Sequence, residues 1–195
     1  MDTHFTLDRA LGAVGEILER RSQTAAIVVV GGTALNLLGV VDRFTRDVDV
    51  IAIATPNPKG APGHIRPPDP LPNALQEAVQ TVSRDLRLPA DWLNTTVAMQ
   101  WKTGLPPGFP TRVHWQRHAG LWIGLAGRLD LIHLKLYAAA DDVGPQSRHF
   151  QDLLALRPTF AELSQARDWI KTQDGSPEMA EIVDQVIAHV PVTGR

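Results

Sequence analysis

The sequence predicts an α+β protein, with a mixed α/β half followed by a helical half. Three observations predict it. A short β-branched run, Ala25 to Val30, leads directly into a Gly-Gly pair and an apolar helical stretch. A second run, Asp47 to Ile53, alternates acidic or small residues with Val and Ile, the two-residue period of a strand. From Leu129 onward the pattern is helical, and two of its starts carry capping signatures. The expected organisation is an α/β core over residues 1–127 and a helical lobe over residues 128–195.

The first element is an amphipathic helix over Leu7–Arg21, with Leu7, Leu11, Val14, Ile17 and Leu18 on one face. Ala25–Val30 reads as a buried strand. Gly31-Gly32 breaks it, and Thr33–Leu38 reads as a short helix ended by Gly39. The strand at Asp47–Ile53 is followed by a Pro-rich loop over residues 55–72, Thr55 to Pro72. Its prolines at 56, 58, 62, 67, 68, 70 and 72 exclude helix and central strand. Asn73–Leu88 is helical, with Leu75, Val79, Val82 and Leu86 in register and Pro89 as its stop. Val97–Trp101, Arg112–Arg117 and Leu121–Ala126 are expected strands. Helices are expected over Leu129–Ala140, Ser147–Leu156, Thr159–Lys171 and Ser176–Val190. The third opens with a capping box, Thr159 with Glu162. The fourth opens with Ser176 ahead of Pro177, a proline at the first helical position.

Composition narrows the function. The chain has 195 residues, of which 44% are hydrophobic and 21% charged, enough to bury a core. A formal net charge of −2 excludes a general nucleic-acid coat, though RNA or DNA fits as a substrate where basic residues cluster. With no cysteine there is no disulfide, no thiolate metal site and no cysteine nucleophile, which fits a cytoplasmic location. The apolar stretch Ala25–Val41, about 17 residues, approaches membrane-span length. It contains Gly31, Gly32, Thr33 and Asn36, so it reads as a buried strand and helix, and no membrane association is expected.

The chemistry centres on Asp47-Val48-Asp49. Alternate residues of a strand share a face about 7 Å apart, so two carboxylates so placed suit a divalent cation, and Mg²⁺ prefers such oxygen ligands. Alone, the pattern reads rather as a pair of solvated strand-end carboxylates. Upstream, the Gly31-Gly32 turn follows a buried strand and opens a helix, a geometry that lets backbone N–H groups approach phosphate, with the Thr33 hydroxyl at hand. A plain tight turn is the other reading. Arg43 suits phosphate through its planar guanidinium, or pairs with Asp47 or Asp49. The Pro-rich loop starts beside this site and carries Lys59, His64 and Arg66. It reads as a solvated insertion, or as a lid or contact for an acceptor nucleic acid.

Gly31-Gly32-Thr33-Ala34-Leu35 followed by Arg43-Phe44-Thr45-Arg46-Asp47-Val48-Asp49 resembles the nucleotidyltransferase superfamily. The branch it is most similar to contains the AbiEii-type and MenT-type toxins and their uncharacterised relatives. Leu131-Ile132-His133-Leu134-Lys135-Leu136-Tyr137-Ala138-Ala139 is similar to the lysine-bearing helix of that branch, and Arg148-His149-Phe150-Gln151-Asp152-Leu153 resembles its following segment. The resemblance implies a nucleotidyltransferase-like mixed sheet with flanking helices and a C-terminal helical lobe. It implies Asp47 and Asp49 as Mg²⁺ ligands, and Gly31, Gly32, Thr33, Arg43 and Thr45 as nucleotide-binding residues. It further implies that Lys135 contacts the triphosphate and that Asp152 lies near the site. By pattern alone Lys135 reads as a lysine snorkelling from an apolar face and Asp152 as an exposed helix residue.

One departure stands out. The superfamily usually supplies a third carboxylate from a neighbouring strand, yet Val97 to Ala126 contains no Asp or Glu. The third acid is missing, replaced, or supplied by Asp152. Other chemistries lack support: there is no Gly-X-Ser-X-Gly elbow and no Walker lysine loop. His114 and His118 on a strand would stand about 14 Å apart, too far for a shared zinc.

The leading expectation is Mg²⁺-dependent transfer of a nucleoside monophosphate from an NTP to an acceptor hydroxyl. The resemblance implies RNA such as tRNA, or a protein, as acceptor, and a toxin role with a cognate antitoxin. The alternative is a non-catalytic nucleotide-binding or protein-interaction module on the same fold. A structural partner in a toxin–antitoxin pair, without nucleotide binding, is a third reading.

Overall fold

The computed structural model describes residues 3–57, 61–142 and 147–192. The chain forms two compact units. One comprises Met1–Trp101 with Val113–Ala126, and the other Lys102–Arg112 with Gly127–Arg195.

The first unit is built on a mixed sheet. Its path runs β3 (Pro62–Arg66), β2 (Val48–Pro56), β1 (Ala25–Val30), β6 (Leu121–Leu125) and β5 (His114–His118), and the two-residue β4 (Leu93–Asn94) pairs with β2 off that path. β1 is buried at all six positions because it is central and covered on both faces, which is why it reads as an unbroken apolar run. It pairs antiparallel with β2 and parallel with β6. Three helices flank the sheet: α1 (Thr3–Arg20), α2 (Gly31–Leu37) and α3 (Asn73–Leu86). α1 packs on α3, β5 and β6, and Leu11, Val14 and Leu18 of α1 and Leu75, Ala78 and Val82 of α3 are buried. Each fully buried leucine or valine here contributes about 1.5–3 kcal/mol. α3 stops at Leu86 because Arg87 takes a left-handed conformation (φ 53°) and Leu88 N–H closes on Ser83 O ahead of Pro89.

Two sequence expectations are corrected. Thr55–Pro72 is not all loop: Pro62–Arg66 forms an edge strand on β2, with Ala54 opposite Ile65 and Ile53 opposite Arg66. An edge strand bonds along one side only, so a proline at its first residue costs nothing there, and buried Ile65 anchors it. His64 and Arg66 lie on this strand, and Lys59 lies outside the described residues. Val97–Trp101 is not a strand but part of a 3₁₀ stretch, Thr96–Lys102. Asn94 Oδ1 accepts from Thr96 N–H at 3.0 Å, which turns the backbone, and Trp101 Nε1 donates to Ile51 O at 2.6 Å, which holds the turned segment on β2.

The second unit is helical: α4 (Arg128–Asp141), α5 (Arg148–Ala155), α6 (Phe160–Gln173) and α7 (Pro177–Ala188), with a 3₁₀ turn at Phe109–Arg112. α4 is its centre and packs on the other three helices. The capping box forms, with Thr159 Oγ1 accepting from Glu162 N–H and Glu162 Oε2 accepting from Thr159 N–H at 2.8 Å. Ser176 caps α7 with Pro177 at its start. Among the described residues, no helix is long and apolar enough to cross a membrane.

Candidate active site

β1 and β2 bring the glycine turn to the aspartates. Their register sets Val30 opposite Asp49, so the chain leaving β1 turns into α2 beside the Asp49 side chain. Gly31 makes that turn at φ 72°, a conformation that L side chains rarely adopt. A Cβ on Gly31 would overlap Asp49 Oδ2. The missing side chain is therefore the space in which the carboxylate sits. A Cβ on Gly32 would meet Thr45 Cγ2 and the Arg43 guanidinium, so the Arg43–Thr45 segment lies close over the second glycine.

The loop that carries the first aspartate is pinned from α2. Thr33 Oγ1 donates to the main-chain oxygen of Asp47 at 2.6 Å. Asn36 Nδ2 donates to Arg43 O at 2.8 Å and to Thr45 Oγ1 at 2.9 Å. Thr33, Asn36 and Thr45 are buried, while Asp47 is exposed and Asp49 half-buried. Asp47 directly precedes β2, whose first residue, Val48, donates its N–H to Trp92 O at 2.6 Å. The structure thus gathers Gly31, Gly32, Thr33, Arg43, Thr45, Asp47 and Asp49 at one end of β1 and β2. Asn36 is the buckle of this arrangement. Its only signal in the sequence is an amide in an otherwise apolar helix.

The short strand β4 supplies an amide beside Asp49. β4 runs parallel to β2 with Asn94 in register with Asp49, and Asn94 Nδ2 donates to Asp49 Oδ1 at 3.4 Å. Among the described residues, no group of three or more His, Asp or Glu side chains gathers to hold a metal.

Lys135 and Asp152 belong to the helical unit, where they meet each other. Lys135 Nζ stands 2.7 Å from Asp152 Oδ2, with side-chain exposures of 6% and 1%. Lys135 on α4 and Asp152 on α5 form a buried ion pair in place of the snorkelling lysine and exposed aspartate that local pattern suggests. His149 lies near this pair. Burial, reinforced by the Lys135 charge, lowers its pKa below the usual histidine value. On α4 of the same unit, Asp130 receives Arg112 through two bonds, at 3.0 and 2.5 Å.

Residues 6–103 match the family model described as a nucleotidyltransferase of unknown function (DUF6036). The match spans half of the chain and contains the glycine turn, both aspartates and Asn94. The chain belongs to this nucleotidyltransferase family. No curated protein and no solved structure matches it. The fold agrees with the family: this nucleotidyltransferase has a mixed sheet with flanking helices, followed by helices in its C-terminal region. The matched segment ends before α4, so Lys135 and Asp152 lie beyond it.

Proposed function

We propose that this nucleotidyltransferase transfers a nucleoside monophosphate from an NTP to an acceptor hydroxyl. The observation that carries the reading is the Asp49 carboxylate seated in the space left by Gly31, with Asp47 two residues earlier on a loop held by Thr33 and Asn36. Fixed geometry of this kind suits a reaction in which positioning and charge neutralisation do most of the catalysis. The acceptor oxygen forms a new bond to the α-phosphorus, the bond to the bridging oxygen breaks, and pyrophosphate leaves. The acceptor proton passes to solvent or to a base.

The donor set fits Mg²⁺: two hard carboxylates, Asp47 and Asp49, the second seated against the Gly31 backbone where a Cβ would overlap it. When bound, the ion would neutralise phosphate charge and lower the barrier to attack. Gly31, Gly32 and Thr33 frame the phosphates through the backbone at the start of α2, and Arg43 over Gly32 adds a cation. Thr45, held by Asn36, fixes that cation's loop. The resemblance implies a triphosphate contact for Lys135 with Asp152 near it; in the helical unit the two side chains hold each other as a buried ion pair. The acceptor is RNA such as tRNA, or a protein. The biological role is that of an AbiEii-like or MenT-like toxin with a cognate antitoxin, working in the cytoplasm. Incubation with each labelled NTP, Mg²⁺, total RNA and total cell protein tests the activity. Label should enter RNA or protein, and Asp49→Asn should reduce it by about 10²–10³-fold. Absence of transfer with every NTP defeats the enzymatic reading.

Asn94 favours a second reading, a nucleotide-binding module without turnover. Its amide occupies the strand position beside Asp49 and cannot take a proton from an acceptor. Tight Mg-NTP binding with no transfer to any acceptor would select it.

A further inference from the structure

We propose that Phe44 and Arg46 form a stacking-and-phosphate contact for a single-stranded nucleic acid, the acceptor strand of the transfer reaction. The proposal rests on the transferase reading above. Burial alternates along the loop: Phe44 is 50% exposed, Thr45 is 7% exposed, and Arg46 is again exposed. Asn36 holds Arg43 O and Thr45 Oγ1, and Thr33 holds Asp47 O, so Phe44 and Arg46 each lie between two anchored residues. Phe44 and Arg46 are consequently exposed on either side of buried Thr45, in a pinned loop that leads into both aspartates. A phenyl ring half in water forgoes about half of the gain that full burial would give it. Among the described residues, Arg46 has neither a hydrogen-bond nor an ion-pair partner.

An outward aromatic ring beside an outward guanidinium matches one nucleotide of a strand. The base stacks on the ring and the phosphate meets the cation two residues along the chain. A strand is favoured over the NTP because Arg43, not Arg46, lies over the Gly32 phosphate cradle. Arg46 is a second, exposed cation three residues along the loop. The net charge of −2 makes a local contact of this kind the means of drawing a strand to the aspartates.

Fluorescence anisotropy of a labelled RNA oligonucleotide of about 12 nucleotides measures the contact directly. Phe44→Ala should weaken binding about five- to a hundredfold, and Phe44→Trp should restore it. Arg46→Ala should flatten the salt dependence, reducing the slope of log affinity against log salt by about 0.7. Calorimetry with Mg-NTP should show unchanged affinity in Phe44→Ala, and circular dichroism an unchanged fold. Equal oligonucleotide binding by wild type and Phe44→Ala overturns the proposal, as does no binding by wild type. Loss of NTP affinity with strand binding intact overturns it too, because the ring would then serve the incoming nucleotide. Failure of the wild type to bind any Mg-NTP would instead strike the transferase reading, and a strand affinity lost in Phe44→Ala would survive it.

Discussion

The Asp49 carboxylate occupies the place where any residue but glycine at position 31 would carry its Cβ. Gly31 is also at φ 72°, so two independent penalties meet at one site. Gly31→Ala should destabilise the protein by about 1 kcal/mol or more from backbone strain alone, and should also displace the carboxylate. Urea unfolding checks the first effect. Calorimetric titration of Mg-NTP checks the second, with affinity expected to fall more than stability explains.

Asn94 tunes Asp49 from the adjacent strand. Asn94→Ala removes a bond that orients the carboxylate, and Mg²⁺ affinity should drop about tenfold. Asn94→Asp adds a third carboxylate to Asp47 and Asp49 and should tighten Mg²⁺. Manganese titration followed by paramagnetic relaxation distinguishes the two directions. If both variants bind metal as the wild type does, Asn94 has no part in the site.

The Lys135–Asp152 pair predicts a non-additive double mutant. Lys135→Met or Asp152→Leu alone leaves a buried charge unpaired and should cost about 3–5 kcal/mol. The double replacement removes both charges and should recover much of that loss. Chemical unfolding of the three variants gives the coupling. Additive losses would mean that the pair is solvated in solution.

Burial lowers the pKa of both His133 and His149 from the ordinary value of 6.5. His133 Nδ1 donates to Leu129 O at 2.7 Å in the neutral ring, and the Lys135 charge further disfavours protonation of His149. The unfolded chain therefore takes up protons at a pH where the folded chain does not. Their contribution to stability is complete above about pH 6.5 and is lost as pH falls through the lower, folded values. Denaturation midpoints from pH 8 to pH 5 should fall below that point. The fall should be shallower in the His133→Gln/His149→Gln double variant.

Local patterns were enough for much of this protein. Ala25–Val30 declared itself by β-branched content, the helix after it by the Gly-Gly break, and α6 and α7 by caps that sit within three residues of their partners. The Gly31-to-Asp49 segment was legible as a candidate site because turn, helix start and paired acids follow one another along the chain. Tertiary structure decided the rest, since those contacts join residues far apart in sequence. A two-residue strand has no period to read, so Asn94 emerges beside Asp49 only when β4 pairs with β2. The edge strand at Pro62–Arg66 exists because β2 offers it one free side, which no count of prolines reveals. Asn36 needs the returning loop before its amide has Arg43 and Thr45 to hold. Lys135 and Asp152 become a buried pair only when α5 packs on α4, because burial belongs to the packed arrangement and not to either helix alone.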